Sequence, residues 1–198
     1  MREILVATGN KGKLREIREL LRGLPVTITS LADYWNPVPS IPETGSTFSE
    51  NALQKAIWAF NQKGMWVLAD DSGLEVDALG GLPGVKSARF AGEGAGFEAN
   101  NRKLLELMAD VPAGRRTARF TCIAVLVIAH ENYFFADGSC EGTILSEPRG
   151  IRGFGYDPLF VPAGFTQTFA ELESVDKHAI SHRGKALEKI QRHFHELL

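Results

Sequence analysis

The sequence predicts an α/β fold, a mixed and twisted sheet with flanking helices. Strands and amphipathic helices alternate through the first half, a long strand turns back on itself in the second half, and an amphipathic helix closes the chain. With 198 residues, 44% of them hydrophobic, the chain can bury a sizeable core. We therefore expect one domain over residues 1–198.

The first predicted elements are a strand, a helix and a second strand. Residues 3–7 read as a short buried strand, and leucine and isoleucine then recur at helical spacing through residues 14–24. The polar residues expected largely outside this apolar stripe are Arg15, Glu16, Arg18 and Glu19. Residues 26–30 have the β-branched content of a strand, and the proline-rich residues 35–46 are predicted to form a loop.

A second helix and a third strand follow this loop. Thr47 and Glu50 have the spacing of a capping box, which predicts a helix that begins there and ends at Gly64. Residues 66–69 read as a wholly apolar strand, and the acids, serine and glycine after it predict that the strand ends and the chain turns away. A third helix is predicted over residues 99–108.

The second half predicts a hairpin and a closing helix. Residues 117–129 alternate between two sets of side chains, as in a long strand, and a short turn leads into the run Tyr-Phe-Phe-Ala. Phe134 and Phe135 are adjacent in that run and cannot both face one core. Residues 184–198 repeat apolar positions at helical spacing.

Composition and charge argue against several classes of protein. A net charge of −2 and an isoelectric point near 6.2 disfavour an extended nucleic-acid surface. The apolar runs are too short to span a bilayer, and the first residues lack the long apolar segment of a signal peptide. Cys122 and Cys140 show no Cys-x-x-Cys spacing, which favours a reducing compartment. We expect a soluble cytoplasmic protein with no nucleic-acid or membrane partner.

The first strand meets the first helix at a candidate phosphate-binding turn. Such a junction presents free backbone N–H groups and the positive end of a helix dipole. The candidate residues are Thr8, Gly9, Asn10, Lys11, Gly12 and Lys13. The segment matches neither a Walker A loop nor Gly-x-Gly-x-x-Gly, so a capped turn with solvated lysines is the alternative.

Asp70 and Asp71 raise the question of why an apolar strand should lead into two adjacent acids. One acid could hold Mg²⁺ while the other orients or deprotonates water, or the pair could simply end the strand. Glu43 is a third acid, in a proline-bounded loop, and Lys55 lies on the second helix. For these last two residues a solvated surface position is the default interpretation.

A Gly-Phe-Gly-Tyr-Asp-Pro segment begins at Gly153. Its glycines could present Phe154 for stacking on a base, or the segment could be an aromatic turn packed on the core. Near the start of the last helix lie Lys177, His182 and Arg183.

Taken together, these segments resemble the inosine triphosphate pyrophosphatase-like family, the non-canonical purine nucleoside triphosphate pyrophosphatases. The motifs that carry the resemblance run from Ala7 to Leu187 and are ATGNKGK, ETGSTFSENALQKA, ADDSGLEVDALGGLPGVKSARF, GFGYDP and ISHRGKAL. The resemblance implies that a small-molecule substrate, the triphosphate of inosine, deoxyinosine or xanthosine, is hydrolysed to the monophosphate and pyrophosphate. It also implies Mg²⁺ as cofactor and a homodimer.

The resemblance also implies residue roles. Asp71 matches the catalytic carboxylate, and the metal is expected on Asp71, Glu43 and Asp70. The expected phosphate-side contacts are Thr8, Gly9, Asn10, Lys11, Gly12, Lys13 and Lys55, and Ser72 matches a further substrate contact. The expected base-side contacts are Phe154, Gly155, Tyr156, Asp157, Lys177, His182 and Arg183. A donor among Arg183, His182 and Lys177, or a backbone N–H, would pair with the carbonyl at purine position 6 and reject adenine.

Two other functions compete with this interpretation. A related pyrophosphatase with another base preference would lack the combined GFGYDP and SHR segments. A regulator that binds nucleotides without hydrolysis would gain little from the extra negative charge of Asp70 and Asp71 beside phosphate.

Overall fold

The computed structural model describes residues 2–197, which contain six strands and five α-helices. The strands are β1 (Arg2–Val6), β2 (Val26–Ser30), β3 (Trp66–Val76), β4 (Thr117–Ala129), β5 (Asn132–Ile144) and β6 (Phe160–Pro162). The helices are α1 (Lys11–Leu20), α2 (Phe48–Lys63), α3 (Phe97–Leu107), α4 (Ser174–Ile180) and α5 (His182–Leu197). The short helix α4 was not predicted from the sequence.

The strands form one mixed sheet in the order β2-β1-β3-β4-β5-β6. β1 pairs in parallel with both β2 and β3, whereas β5 and β6 pair antiparallel. This arrangement confirms the predicted mixed α/β sheet with flanking helices.

Local sequence signals determine the ends of α2. The Thr47 hydroxyl accepts from the backbone N–H of Glu50, and the Glu50 carboxylate accepts from the N–H of Thr47, so the predicted capping box is confirmed. Gly64 ends the helix at a φ of 63°, a left-handed conformation that favours glycine.

The described residues divide into two compact units. The first contains residues 2–71, 122–138 and 183–197, and the second contains residues 72–121 and 139–182. β3, β4 and β5 each continue from one unit into the other along the chain. The expectation of a single domain stays a prediction.

The core of the first unit consists of two hydrophobic clusters, and β3 contributes alternate residues to each. Leu68 belongs to a cluster with Ile17 of α1 and Leu187 of α5. Val67 and Ala69 belong to the other cluster, together with alanines of α2. Because successive side chains of a strand point to opposite faces, α1 and α5 cover one face of β3 and α2 covers the other.

β3 does not end where the sequence predicted. The strand runs on through Asp70, Asp71, Ser72 and Gly73 to Val76. Asp70 therefore shares a face with Leu68, and Asp71 shares a face with Ala69. The two acids are adjacent in sequence, but they point toward different helices.

The second unit has its own core of leucines and aromatic rings, which includes Phe120, Phe160 and Phe169. Its most buried cation outside the candidate site is Arg116, whose guanidinium donates to four backbone carbonyls. Two of these carbonyls, of Met108 and Val111, belong to the end of α3 and the turn after it, and the other two belong to Ile144 and Leu145 at the end of β5. Arg116 thus joins α3 to β5.

Both cysteines are buried and carry free thiols. Within residues 2–197, none of the helices combines the length and the apolar composition that crossing a bilayer requires.

Replacing Arg116 should destabilise the second unit. Arg116→Met keeps most of the side-chain volume but removes a donor from each of four carbonyl oxygens, so we expect the free energy of unfolding to fall by about 3 kcal/mol. Urea unfolding measures this change. Arg115→Met, at the exposed neighbouring position, is the control and should change stability by less than about 0.5 kcal/mol. Equal stability of the two variants would contradict the role given to Arg116.

Candidate active site

Asp70 lies at the centre of a buried ion cluster in the first unit. Its Oδ2 accepts from Nη2 of Arg183 at 3.0 Å and from Nε at 3.3 Å, and it lies 3.3 Å from Nζ of Lys13. The same guanidinium donates through Nη1 to Oε2 of Glu16 at 2.5 Å. Glu16, Asp70 and Arg183 are each 5% exposed or less, so these charges interact away from water.

Asp71 has different partners because it faces α2. Its Oδ2 accepts from the side-chain amide of Asn51 at 3.1 Å, and its Oδ1 lies 3.6 Å from Nζ of Lys55. Asn51 and Lys55 are four residues apart on α2 and therefore share a helix face. Lys55 Nζ also donates to Oε1 of Glu43 at 2.5 Å.

The loop that carries Glu43 is tied to the same face of α2. The backbone N–H of Gly45 donates to Oδ1 of Asn51 at 2.8 Å, so one amide side chain binds both the loop and Asp71. Gly45 has no room for a side chain, since a Cβ atom there would lie 2.6 Å from Cβ of Glu50. The structure thus brings together Glu43, Lys55 and Asp71, which the sequence placed in three separate segments.

The two adjacent acids differ in their protonation. Burial alone would raise the pKa of Asp70, but the charges of Lys13, Arg183 and Lys55 outweigh it and hold this pKa well below its usual range. Burial also acts on Asp71, where the charges of Lys13 and Lys55 only partly offset it, and the pKa of Asp71 is raised. Asp70 is therefore a permanent anion, and Asp71 holds a proton more readily.

Buried charge also determines the state of the neighbouring groups. Burial would lower the pKa of Lys55, but Asp71, Glu43 and Asp70 raise it, so this lysine stays charged. Burial and the charge of Asp70 raise the pKa of the Cys122 thiol to about 12. Cys122 is thus a neutral thiol at physiological pH and not a nucleophile.

Lys13, Lys55 and Arg183 explain how a strand can carry two buried acids. Each lies within 4 Å of Asp70 or Asp71, and the acids on the other side of these cations are Glu16 and Glu43. Removing one member of such a cluster leaves an uncompensated buried charge, which is far more unfavourable than the cluster itself.

The turn before α1 was interpreted from the sequence either as a phosphate-binding turn or as a capped turn with solvated lysines, and it has features of both. Asn10 caps the helix, because its Oδ1 accepts from the N–H groups of Gly12 and Lys13 at 2.8 and 3.1 Å. Lys11 is exposed, but Lys13 is not a solvated lysine: its ammonium lies 3.3 Å from Asp70 and 3.9 Å from Asp71. Lys13 is the one predicted phosphate-side residue of this turn with an ion pair to both acids.

The base-side segment of the second unit is a tight turn closed by Asp157. Its Oδ2 accepts from the backbone N–H of Phe154 at 2.9 Å. Gly153 has a φ of 75°, and a Cβ there would lie 2.0 Å from the same carboxylate oxygen, so the turn requires glycine at this position. Phe154 is left partly exposed, as stacking on a ligand requires.

Lys177 joins this turn to the aromatic core of the second unit. Its ammonium lies 2.6 Å from Oδ2 of Asp157, 5.2 Å from the ring centre of Phe154 and 5.4 Å from that of Phe169. Both contacts with rings are within cation–π range. The structure therefore places three predicted base-side residues, Phe154, Asp157 and Lys177, in mutual contact.

His182 and Tyr156 are held by other contacts of the second unit. The His182 ring stacks on Phe120 with ring centres 4.7 Å apart and planes 10° apart. The Tyr156 ring is buried and its hydroxyl donates to the backbone carbonyl of Ser87 at 2.9 Å, so the structure gives its side chain a packing role. Ser72 lies half-buried on β3, and Gly155 accepts through its carbonyl from the Asn101 side chain.

The sequence interpretation missed two residues of the site, Glu16 and Asn51. Glu16 was expected outside the apolar stripe of α1, yet it is buried against Arg183. It is three residues from Lys13, the spacing at which two side chains share a helix face, but nothing local distinguishes it from a surface acid. Asn51 lies on α2 one turn before Lys55. This four-residue spacing is the sequence signal that could have identified Asn51 as a neighbour of Lys55.

The three acids expected to hold a metal do not meet at one point. Within residues 2–197, no three His, Cys, Asp or Glu side chains are grouped as metal ligands. The reason is the strand alternation, which turns Asp70 toward Arg183 and away from the face of Asp71. The metal-binding roles expected for Asp70, Asp71 and Glu43 stay predictions.

Glu43 and Asp71 do fit a divalent cation. Both carboxylates approach the same Lys55 ammonium, at 2.5 and 3.6 Å, so they already converge on one cationic position. Mg²⁺ prefers oxygen ligands and usually takes only one or two protein carboxylates, with substrate phosphates and water completing its shell.

Comparison with known proteins decides the family. A model of the Ham1 family matches residues 4–193. The chain belongs to the Ham1 family. This membership confirms the resemblance inferred from the five motifs.

Individual relatives of this Ham1 family member cover nearly all of its length. A protein of Desulforamulus reducens named dITP/XTP pyrophosphatase is 50% identical over 187 residues, 94% of this chain and 92% of that protein. One of the same name from Geobacter sulfurreducens is 51% identical over 193 residues, 98% and 96% of the two chains. The solved structure of a HAM1 protein from Coxiella burnetii is 43% identical and matches with a TM-score of 0.88 over 99% of this chain and 100% of that one.

Proposed function

We propose that this protein hydrolyses non-canonical purine nucleoside triphosphates, those of inosine, deoxyinosine and xanthosine, to the monophosphate and pyrophosphate. The curated relatives named dITP/XTP pyrophosphatase support the substrate class. The observation that carries the chemistry is the pair of adjacent acids on β3, of which one is locked as an anion and the other has a raised pKa. Removal of such nucleotides would keep deaminated purines from polymerases.

The phosphate-side chemistry is assigned to the first unit. Asp71 accepts the proton of the attacking water, and its raised pKa makes it a stronger base than an exposed aspartate. Lys13 and Lys55 bind phosphate oxygens as charge develops on the leaving pyrophosphate. Mg²⁺ held by Glu43 and Asp71 would offset the negative charge of the phosphates.

Base recognition is assigned to the second unit. Phe154 stacks on the purine, and Asp157 fixes the turn that presents its ring. Lys177 has three ammonium donors and His182 has a ring N–H, so either side chain can donate to a carbonyl at purine position 6. Adenine offers an amino group there, and the unpaired donor would weaken binding by about 1–3 kcal/mol.

The contacts of Arg183 support a role in holding Asp70. All three guanidinium nitrogens, Nε, Nη1 and Nη2, already donate to Asp70 or Glu16. We therefore assign carbonyl recognition to Lys177 and His182, and we assign Arg183 to the support of Asp70.

The direct test is a panel of nucleoside triphosphates incubated with the pure protein and Mg²⁺. We expect rapid release of pyrophosphate from inosine and xanthosine triphosphates and slow release from ATP. Release of orthophosphate, or equal turnover of ATP, would reject the proposal.

We also propose a cytoplasmic homodimer. Tyr133 and Phe135 point to the same exposed face of β5, and their rings pack edge to face with centres 5.7 Å apart, whereas Phe134 packs toward the core. Exposed aromatic pairs of this kind are common at interfaces. We expect sedimentation velocity at micromolar concentration to give the mass of a dimer, and Tyr133→Ser combined with Phe135→Ser to shift it toward the monomer. A wild-type monomer would contradict this proposal.

Replacing Asp71 should slow turnover strongly and leave the protein folded, because Lys55 keeps its ion pair with Glu43. Asp71→Asn keeps the size and can still accept from Asn51, but it removes the base, so kcat should fall by about 10²–10⁴-fold. Turnover of inosine triphosphate and the thermal midpoint are measured together. Asp137→Asn, at an exposed acid of β5, is the control. A folded Asp71→Asn protein with normal turnover would exclude Asp71 as the base.

Replacing Phe154 should weaken substrate binding more than it slows chemistry. Phe154→Ala removes the stacking surface, and a loss of about 1–3 kcal/mol would appear mainly as a higher KM. Phe165→Ala, at an exposed phenylalanine of the second unit, should leave KM unchanged. An unaltered KM with a collapsed kcat in Phe154→Ala would contradict the stacking role.

A further inference from the structure

Glu16 is a buried acid that the proposed chemistry does not use. It lies on α1 three residues after Lys13, and it is 5% exposed. Its Oε2 accepts from Nη1 of Arg183 at 2.5 Å. A carboxylate in such a position is unfavourable unless its partner is held in place as well, so its contact with Arg183 constrains both side chains.

The contact with Glu16 determines which edge of the guanidinium faces Asp70. Nη1 is engaged by Glu16, and the opposite edge, formed by Nε and Nη2, is directed at Oδ2 of Asp70. The guanidinium is planar, so fixing one nitrogen fixes the direction of the other two. Arg183 is 1% exposed and belongs to the first turn of α5, which limits other orientations.

The same Asp70 oxygen that accepts from Arg183 also holds Lys13. Nζ of Lys13 lies 3.3 Å from Oδ2 of Asp70 and 3.9 Å from Oδ1 of Asp71. The position of the Lys13 ammonium relative to Asp71 therefore depends on where Asp70 is held. Glu16, Arg183, Asp70 and Lys13 form a continuous chain of charged contacts that ends beside the proposed base.

We propose that Glu16 is a positioning residue for phosphoryl transfer, which acts through Arg183 and Asp70 to place the Lys13 ammonium against Asp71. This inference rests on the proposed function. It assigns Asp70 to positioning and leaves Asp71 to accept the proton of the attacking water. Glu16 itself touches no reacting atom.

Two substitutions of Glu16 test the inference. Glu16→Gln keeps the shape and an acceptor for Arg183 but removes the charge, whereas Glu16→Asp keeps the charge and withdraws the carboxylate by one methylene group. We expect each to lower kcat for inosine triphosphate by about 10–100-fold, since a displacement of about 1 Å at a reacting group can reduce the rate by about 10²-fold. KM should change by less than about threefold, because Lys13 retains its charge.

Three further measurements separate positioning from a purely structural role. Calorimetry should show that the Mg²⁺ complex of a non-hydrolysable inosine triphosphate analogue binds both variants within about threefold of wild type. Circular dichroism must show each variant folded at the assay temperature, and the thermal midpoint is recorded. Glu188→Gln, at an exposed acid of α5 that pairs with Arg192, is the matched control and should keep wild-type turnover.

The possible outcomes decide the matter. A folded Glu16→Gln protein with a reduced thermal midpoint and wild-type kcat overturns the inference, and so does a raised KM with unchanged kcat. If Glu16→Gln does not fold, the kcat of Glu16→Asp decides by the same criterion. Wild-type protein that fails to hydrolyse inosine triphosphate overturns the proposed function and this inference together, which distinguishes that failure from one confined to the Glu16 variants.

Discussion

The alternation of side chains along β3 is the constraint on which the candidate site depends. Adjacent residues of a strand point to opposite faces, so Asp70 and Asp71 enter different environments although they are consecutive. Asp70 meets α1 and α5, with Arg183 and Lys13, whereas Asp71 meets α2, with Asn51 and Lys55. Each acid thereby gains partners of its own that offset the repulsion expected between neighbours, and Lys13 lies within 4 Å of both.

Different surroundings give the two acids different chemistry. Asp70 is surrounded by cations that hold its pKa low, and Asp71 lies among partners that do not fully offset the effect of its burial. Environments that separate the pKa values of paired carboxylates are the usual way in which one becomes a base and the other a fixed charge. The unfavourable burial of several charges is consistent with a cluster kept for function, because apolar packing of the same volume is often at least as stable.

The second unit is held together by a different set of contacts. Its turn at Phe154 depends on a carboxylate that closes it and on a glycine that leaves room for that carboxylate. Lys177 then connects the turn to the aromatic core through one ion pair and two cation–π contacts. Arg116 joins α3 to β5 through four hydrogen bonds to backbone carbonyls. In this unit, hydrogen bonds to backbone groups position the side chains as much as ion pairs do.

The sequence by itself determined the class of fold, most of the helices and strands and the family, because periodicity, capping residues and short motifs are local properties. It also singled out Asp71, Glu43, Lys55 and Phe154, whose roles stay predictions. Only the tertiary structure decided that β3 continues through the acids, that Glu16 is buried, and that the Arg183 side chain binds Asp70. Glu16 and Arg183 are separated by 167 residues, and a carboxylate on a helix looks the same in sequence whether it meets water or a guanidinium. Which buried charged residues pair with one another depends on how distant segments of the chain pack. A local sequence pattern does not contain that information.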